Sequence, residues 1–474
     1  MVLSMKKIST FLLFVIPFLV VAQELRISKG KITDNIKVND TLPETFSLYL
    51  PSNFTDAKSW PVIFVMDLKG KGKQALFMFK AAAEQEEFIL ASSDNLSDTL
   101  TLSQNILISS RMFNAVVDLL PVRKNMSYTS GFSNGARFAS IVPTFVSEIK
   151  GVISCGAAVG NLEILSVKRP FHFVGIAGRE DYNFRELLET RNILDQLKFP
   201  NQLLFSDVGH EWPKKDELAN AMRHLKLVAM AKGYLEKDMD FIQKSYQTDF
   251  AKSNAMFTND KPILSNYILD NMMRSYQPFL SVDSVKSSRK KLRRSKSFKT
   301  KNRAQNNYFL KESFAKEDYG YYLEEDVITY NYNNLGWWNY QMTELTKMEK
   351  SKILYENQMA KRLRSYVNAL IDDNMDVINS DEVLDVQALN FLYMLRTITM
   401  PNDSEGYLKV ISNSSLIEDY GTALFYLEEL LKTGYSNKTE LYSLENTALL
   451  RITPEFNEIV DKYLKEARYD IIED

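Results

Sequence analysis

One cysteine and three histidines in 474 residues leave little room for several kinds of chemistry. Cys155, being alone, excludes an intramolecular disulfide framework and any cysteine-rich zinc or iron–sulfur site, and three histidines are a poor supply for a metal cage. With only 17 glycines and 13 prolines, the chain is neither collagen-like nor of low complexity. No charge of one sign dominates: 58 Lys and Arg stand against 60 Asp and Glu, a formal net charge of −2, which argues against a dedicated nucleic-acid binder. The apolar run Phe11 to Val21 contains Pro17 and falls short of the about 20 residues that cross a bilayer. What is present is an ordinary globular composition, 45% hydrophobic and 25% charged. At roughly 150 residues per domain, the length implies about two or three domains.

The first 22 residues read as a secretory signal peptide: Met5-Lys6-Lys7, the apolar run, then Val20-Val21-Ala22 with small residues ahead of a cut before Gln23. This predicts an exported protein of a bacterial periplasm or medium, with no transmembrane span after cleavage; an uncleaved anchor is the alternative. No Cys follows the run to carry a lipid.

From residue 23 to about 233, strand-length apolar runs alternate with helix-like segments, the signature of an α/β domain with a mainly parallel sheet. The expected strands are Phe46 to Leu50, Val62 to Asp67, Phe88 to Ser92, Met126 to Ser130, Gly151 to Cys155, Phe171 to Ile176 and Gln202 to Ser206. Lys31 to Val38 is a candidate leading strand, antiparallel to Phe46 to Leu50 through Asn39-Asp40-Thr41. Beyond Gly233 the texture becomes helical, with a helical or linker region over 234–330 and an all-α region over 331–474. Periodicity is clearest in Val386 to Thr397, Tyr420 to Lys432 and Pro454 to Ala467, and Thr453-Pro454 reads as an N-cap followed by Pro at the first helical position. Successive helix pairs resemble a tetratricopeptide-type solenoid in texture, without a strict 34-residue period.

The strongest chemical signal is Gly131-Phe132-Ser133-Asn134-Gly135, placed after a strand and before the helical segment Ala136 to Val146. A sharp strand-to-helix turn with glycines on either side is what holds a nucleophilic serine proud of a sheet. Such a serine needs a general base. His172 lies within an apolar strand and His224 within a charged helical segment, where a surface position is expected. His210 follows the last strand in the loop Val208-Gly209-His210-Glu211-Trp212-Pro213 and is the base by elimination. The acid that orients it is expected after the preceding strand, in Gly178-Arg179-Glu180-Asp181, with Asp181 preferred and Glu180 and Asp207 as competitors.

Gly-Phe-Ser-Asn-Gly, Gly-Arg-Glu-Asp-Tyr-Asn and Gly-His-Glu-Trp-Pro together resemble the α/β-hydrolase superfamily. The likeness is to its secreted esterase branch of polyhydroxybutyrate depolymerase-like, feruloyl esterase-like and dienelactone hydrolase-like proteins, over about residues 30 to 233. The resemblance implies a serine hydrolase acting through an acyl-enzyme, with Ser133, Asp181 and His210 as the triad and the Asn134 N–H as one oxyanion donor. It places the second donor near Leu68 or Lys69, after the strand Val62 to Asp67. Where many relatives carry His-Gly-Gly, this chain reads Met66-Asp67-Leu68-Lys69-Gly70, which puts the hole's geometry in question. The implied substrate is a carboxylic ester, small or polysaccharide-linked, and no metal or organic cofactor is implied. The alternative is an inactive hydrolase-like scaffold whose helical half binds a peptide or envelope partner.

Two further features stand out. Lys286 to Arg303 holds ten Lys or Arg and no acid, readable as a contact for an anionic surface or, more plainly, as a solvated linker or helix face. Tyr319 to Tyr340 is rich in aromatics, including Trp337 and Trp338, readable as a stacking platform or, more plainly, as packing anchors. Cys155 reads as a buried small hydrophobe.

Overall fold

A computed structural model of the chain describes residues 27–465 and 467. The signal segment expected over 1–22 lies outside the described residues. Eight strands form one sheet: β1 Ile32–Lys37, β2 Thr45–Tyr49, β3 Trp60–Met66, β4 Ile89–Ser93, β5 Val122–Phe132, β6 Ile149–Cys155, β7 His172–Gly178 and β8 Asn201–Ser206. Their order is β1-β2-β4-β3-β5-β6-β7-β8. β2 pairs antiparallel with both β1 and β4, and every other pairing is parallel.

Strands that are apolar on both faces need cover on both faces. Helices α1 Gly72–Glu86, α2 Leu102–Leu119, α3 Asn134–Phe145, α4 Phe184–Gln196 and α5 Lys215–Ala231 supply it. Because side chains alternate along a strand, Phe64 packs with Met112 of α2, Val142 of α3 and Leu187 of α4 on one face. Its neighbour Val65 packs with Phe79 of α1 and Met222 of α5 on the other. Cys155 lies fully buried within that second layer. The strand order, the two antiparallel pairings at one edge and the helices on both faces make this an α/β-hydrolase fold.

A helical region follows: α6 Met239–Thr258, α7 Pro262–Tyr276, α8 Asp283–Arg294, α9 Lys296–Thr329, α10 Leu335–Glu349, α11 Leu354–Ser380, α12 Val386–Thr399, α13 Ser404–Leu416, α14 Tyr420–Lys432, α15 Lys438–Ser443 and α16 Pro454–Leu464. Local chemistry sets several starts. The side chains of Asp238, Ser295, Asp385, Asp419 and Thr453 accept N–H bonds from the first turns they precede. The basic stretch is therefore helix, the body of α8 and the start of α9, not a linker. Leu227 and Met230 of α5 share a core with Ile242, Met272, Val285 and Leu292 of α6, α7 and α8, so this region is continuous with the hydrolase fold. A second core joins Tyr319, Leu323 and Val327 of α9 to Trp338, Leu363 and Leu392. Trp338 is an anchor there, its indole N–H donating to Asp326 Oδ2 at 2.8 Å, and Trp337 packs between Tyr322 and Trp338.

His224 departs from expectation. It is 2% exposed, with Nδ1 3.0 Å from Ser275 Oγ of α7. Leu218, Met222 and Leu225 of α5 face the sheet, while His224, Leu227 and Met230 turn to helices packed on its other side, so α5 has little solvent face left. His172 is 1% exposed. Burial, and then the neighbouring His224 and Lys232, pull its basicity down to about 3; burial, then Arg223 and Lys252 opposed by Asp249, pull His224 down to about 4.

Both imidazoles are thus neutral in the folded chain at pH values where the unfolded chain, with a histidine near 6.5, is protonated. The stability they contribute is complete above about pH 6.5 and is lost as pH falls toward their folded values, at up to about 1.4 kcal/mol per pH unit for each. Urea unfolding between pH 6.5 and 4.5 should therefore show a steeper loss in the wild type than in His224→Gln, by about that slope. Equal slopes would refute the assignment.

Candidate active site

Ser133 sits between the end of β5 and the start of α3 with φ 52° and ψ −123°, a left-handed conformation that an L-residue adopts at a cost of about 1–3 kcal/mol. The two flanking glycines make the turn possible. A Cβ at Gly131 would lie 2.5 Å from the Gly135 carbonyl, and one at Gly135 would lie 2.3 Å from Met66 O at the end of β3. The turn is held by Ser133 N–H donating to Cys155 O at 3.0 Å, while Ser133 O accepts from the N–H groups of Ala136 and Arg137.

The strand ends beside it carry the partners. Past β7, Asp181 is 1% exposed; its Oδ1 accepts the Asn183 N–H at 2.8 Å, and its Oδ2 lies 3.0 Å from His210 Nδ1. Past β8, His210 reaches back so that its Nε2 lies 3.0 Å from Ser133 Oγ. A carboxylate only accepts, so Nδ1 carries the proton and Nε2 is left to accept from the serine hydroxyl. The two turns touch closely: a Cβ at Gly178 would lie 2.1 Å from Val208 O. Gly156, at φ 67°, leaves the space beneath, since a Cβ there would come 3.2 Å from His210 Cε1.

Of the three acids weighed from the sequence, only Asp181 meets His210. Glu180 pairs with Lys361 at 2.9 Å, and Asp207 accepts from Arg179 Nε and from Lys261, both at 2.6 Å. His172 and His224 lie in the interior away from the serine. Sequence reasoning did not single out the aromatic walls of the imidazole. Phe132 packs on it at 4.7 Å between centroids and Tyr182 at 4.6 Å, and Trp212 stacks on Phe132 at 4.9 Å. Both walls neighbour a triad residue in sequence, which is the signal that could have found them.

At the expected oxyanion loop, the Asp67 side chain organises the backbone. Its Oδ1 accepts Lys69 N–H at 3.3 Å and its Oδ2 accepts Lys71 N–H at 3.0 Å, so the Lys69 N–H is engaged by its own loop. The N–H groups of Leu68 and Asn134 have no acceptor among the described residues. The close approach of Gly135 to Met66 brings the start of this loop against the serine turn.

The helical region reaches the same turns. Lys316 of α9 donates to Tyr182 O at 2.7 Å, and Arg362 of α11 donates through Nη1 to Arg179 O at 2.7 Å. Arg362 also binds Glu312 of α9 through Nε at 3.0 and 2.9 Å and through Nη2 at 2.6 Å, with Glu312 0% exposed. The turn that carries Asp181 is therefore clamped from outside the α/β fold.

No protein-family model matches the chain, and no curated protein sequence does. Among solved structures it is similar to a hyperthermophilic esterase from Pyrobaculum calidifontis, at 11% identity over 43% of this chain and 87% of that one with a TM-score of 0.36. It is similar to a fluorophosphonate-binding serine hydrolase of Staphylococcus aureus, at 13% identity over 42% and 98% with a TM-score of 0.33. It is also similar to a dipeptidyl aminopeptidase IV-type protein of Bacteroides ovatus, at 15% identity and a TM-score of 0.32, where 40% of this chain covers 34% of that one, about a third of its length. The chemistry is read from the geometry.

Charges around the serine come from both halves. The Tyr182 phenol is held above its ordinary range by burial and by the Asp181 charge. Asp373 of α11 is raised by burial and by repulsion from Asp376 and Asp372, with Arg137 of α3 pulling the other way. Asp372 is raised by burial against Arg396, and it also feels Lys69 of the loop after β3. Asp372 and Asp373 of α11 thus feel, weakly, the charges of Lys69 after β3 and of Arg137 in the first turn of α3.

Proposed function

We propose that the protein is a serine hydrolase that cleaves carboxylic esters through an acyl-enzyme on Ser133. The observation that carries this reading is the unbroken relay from Asp181 Oδ2 through both ring nitrogens of His210 to Ser133 Oγ, at 3.0 Å for each contact. In the reaction, Ser133 Oγ attacks the ester carbonyl carbon and its proton passes to His210 Nε2, while the carbonyl π electrons move onto oxygen. The N–H groups of Asn134 and Leu68 are the free donors available to that oxyanion. Collapse of the tetrahedral species expels the alkoxide, which takes the proton from Nε2 and leaves as the alcohol. Water then attacks the acyl-serine with His210 as base, releasing the acid and restoring Ser133. Asp181 stays ionised throughout and stabilises the imidazolium.

A carbohydrate-linked acyl ester is the substrate class we favour, supported by the resemblance of the three motifs to secreted esterases. Export is supported by the Lys6-Lys7, apolar-run and Ala22 pattern. The helical half serves as the outer wall of the site, supported by the contacts of Lys316, Lys361 and Arg362 with residues 179–182. The test is incubation with a fluorophosphonate probe, followed by peptide mass spectrometry. The expected adduct is on Ser133 and absent from Ser133→Ala. A well-folded wild-type protein that takes up no probe would instead support the inactive scaffold.

A further inference from the structure

Five of the ten cations of 286–303 form a shaped feature. Met273 of α7 and Lys286, Arg289, Lys290, Arg293 and Arg294 of α8 line a cleft of about 410 Å³. The spacing explains it: on one helix, 286, 290, 293 and 294 fall on a single face, while Val285 and Leu292 on the neighbouring face bury into the core. No carboxylate is among the lining residues. Lys290, Arg293 and Arg294 are exposed and form no ion pair among the described residues. Lys286 has only the exposed Asp283, at 3.4 Å. Arg289 reaches Asp270 at 2.8 Å, but that one carboxylate also serves Arg191 and Arg274. Local positive charge is therefore left without a counter-charge.

We propose that this cleft binds the phosphate groups of a multiply charged anionic ligand, either a soluble polyphosphate or the headgroups of a lipid surface. Arg289 is engaged with Asn266 and Asp270, which leaves the guanidinium groups of Arg293 and Arg294 on this concave site; such forks suit phosphate oxygens two at a time, and the ammonium groups add point charge. Burial, and then the neighbouring Arg293 and Arg274, pull Arg289 below the ordinary guanidinium range.

The cleft lies away from the serine. α7 runs antiparallel to β8: Lys261 before it pairs with Asp207 past the end of β8, Asn271 donates to Leu203 O, and Ser275 near its end meets Gln202 near the start of the strand. Ser133, Asp181 and His210 all follow the C-terminal ends of their strands, so Met273 and the cleft lie toward the other end of the sheet. A surface held there would leave the triad end facing away from it. The inference does not depend on whether Ser133 is active.

The test uses the full chain in two titrations, one with tripolyphosphate and one with vesicles of phosphatidylcholine with or without phosphatidylglycerol. Three variants are compared: the wild type, the triple Lys290→Gln, Arg293→Gln, Arg294→Gln, and a control triple of exposed lysines elsewhere, Lys31→Gln, Lys37→Gln, Lys124→Gln. The expected result is salt-sensitive binding of at least one phosphate probe by the wild type and the control, and binding about 100-fold weaker in the cleft variant. Melting temperature and turnover of a small soluble ester should not change. Tripolyphosphate binding would assign a soluble source, and binding only to vesicles containing phosphatidylglycerol a lipid source. Wild type that binds neither, a cleft variant that binds as well as wild type, or a control that weakens equally would each overturn the proposal.

Discussion

Replacing Asp181 with asparagine should lower kcat/KM on a small activated acyl ester by about 10⁴ while leaving the fold intact. The local hydrogen bonds say why. Oδ1 of Asp181 accepts the Asn183 N–H, so an asparagine would keep its carbonyl oxygen there and turn its NH₂ toward His210. Facing a donor, Nδ1 must become the acceptor, and the ring proton moves to Nε2. That nitrogen then meets the Ser133 hydroxyl with a proton of its own and has nothing with which to take another. Ser133→Ala should cost on the order of 10⁴–10⁶, because it removes the nucleophile itself. Glu180→Gln, which loses only a partly exposed pair with Lys361, should remain within a few-fold of wild type. Steady-state kinetics on a chromogenic acyl ester would settle the matter: an Asp181→Asn enzyme within tenfold of wild type would remove Asp181 from the relay and reopen the question of the acid.

The reach of the sequence follows the range of the forces involved. Strands of the parallel sheet are buried on both faces, so each leaves a compact apolar run; β4, β6 and β7 are visible for that reason, with ends differing by one or two residues. The serine turn is visible because its glycines answer to contacts a few residues away or to the adjacent strand. Ser133, His210 and Asp181 could be singled out because each follows a strand end, and the structure brings those three within hydrogen-bond distance.

What was hidden depends on chain far away. No feature of α5 says that α7 covers its second face, so His224 read as a surface residue. Leu68 and Lys69 looked equivalent until the Asp67 side chain folded back onto the Lys69 N–H. The basic stretch read as linker or helix face because its cleft needs Met273, contributed by another helix. The clamp on the acid turn pairs residues 183 positions apart, Arg362 with Arg179, and no local pattern announces it.

That clamp carries the second large expectation. Arg362→Met should destabilise the protein by about 3–5 kcal/mol, because it leaves the fully buried Glu312 carboxylate without its bidentate partner and the Arg179 carbonyl without its donor. Lys316 remains 3.6 Å from Glu312, too far to replace three short bonds. The cost belongs to the orphaned charge more than to the lost attraction. Adding Glu312→Leu to Arg362→Met should therefore recover most of the loss, since Phe184 and Phe309 already flank the guanidinium and offer apolar contact to the new side chains. Urea unfolding of the wild type, both single variants and the double variant forms a cycle whose coupling term isolates the pair. The functional readout separates packing from positioning. In the stability-restored double variant, Arg179 still lacks its outer support two residues before Asp181, so ester turnover should stay below wild type although the fold has recovered. Full recovery of turnover together with stability would mean that the helical region only packs on the acid turn and does not help to position it.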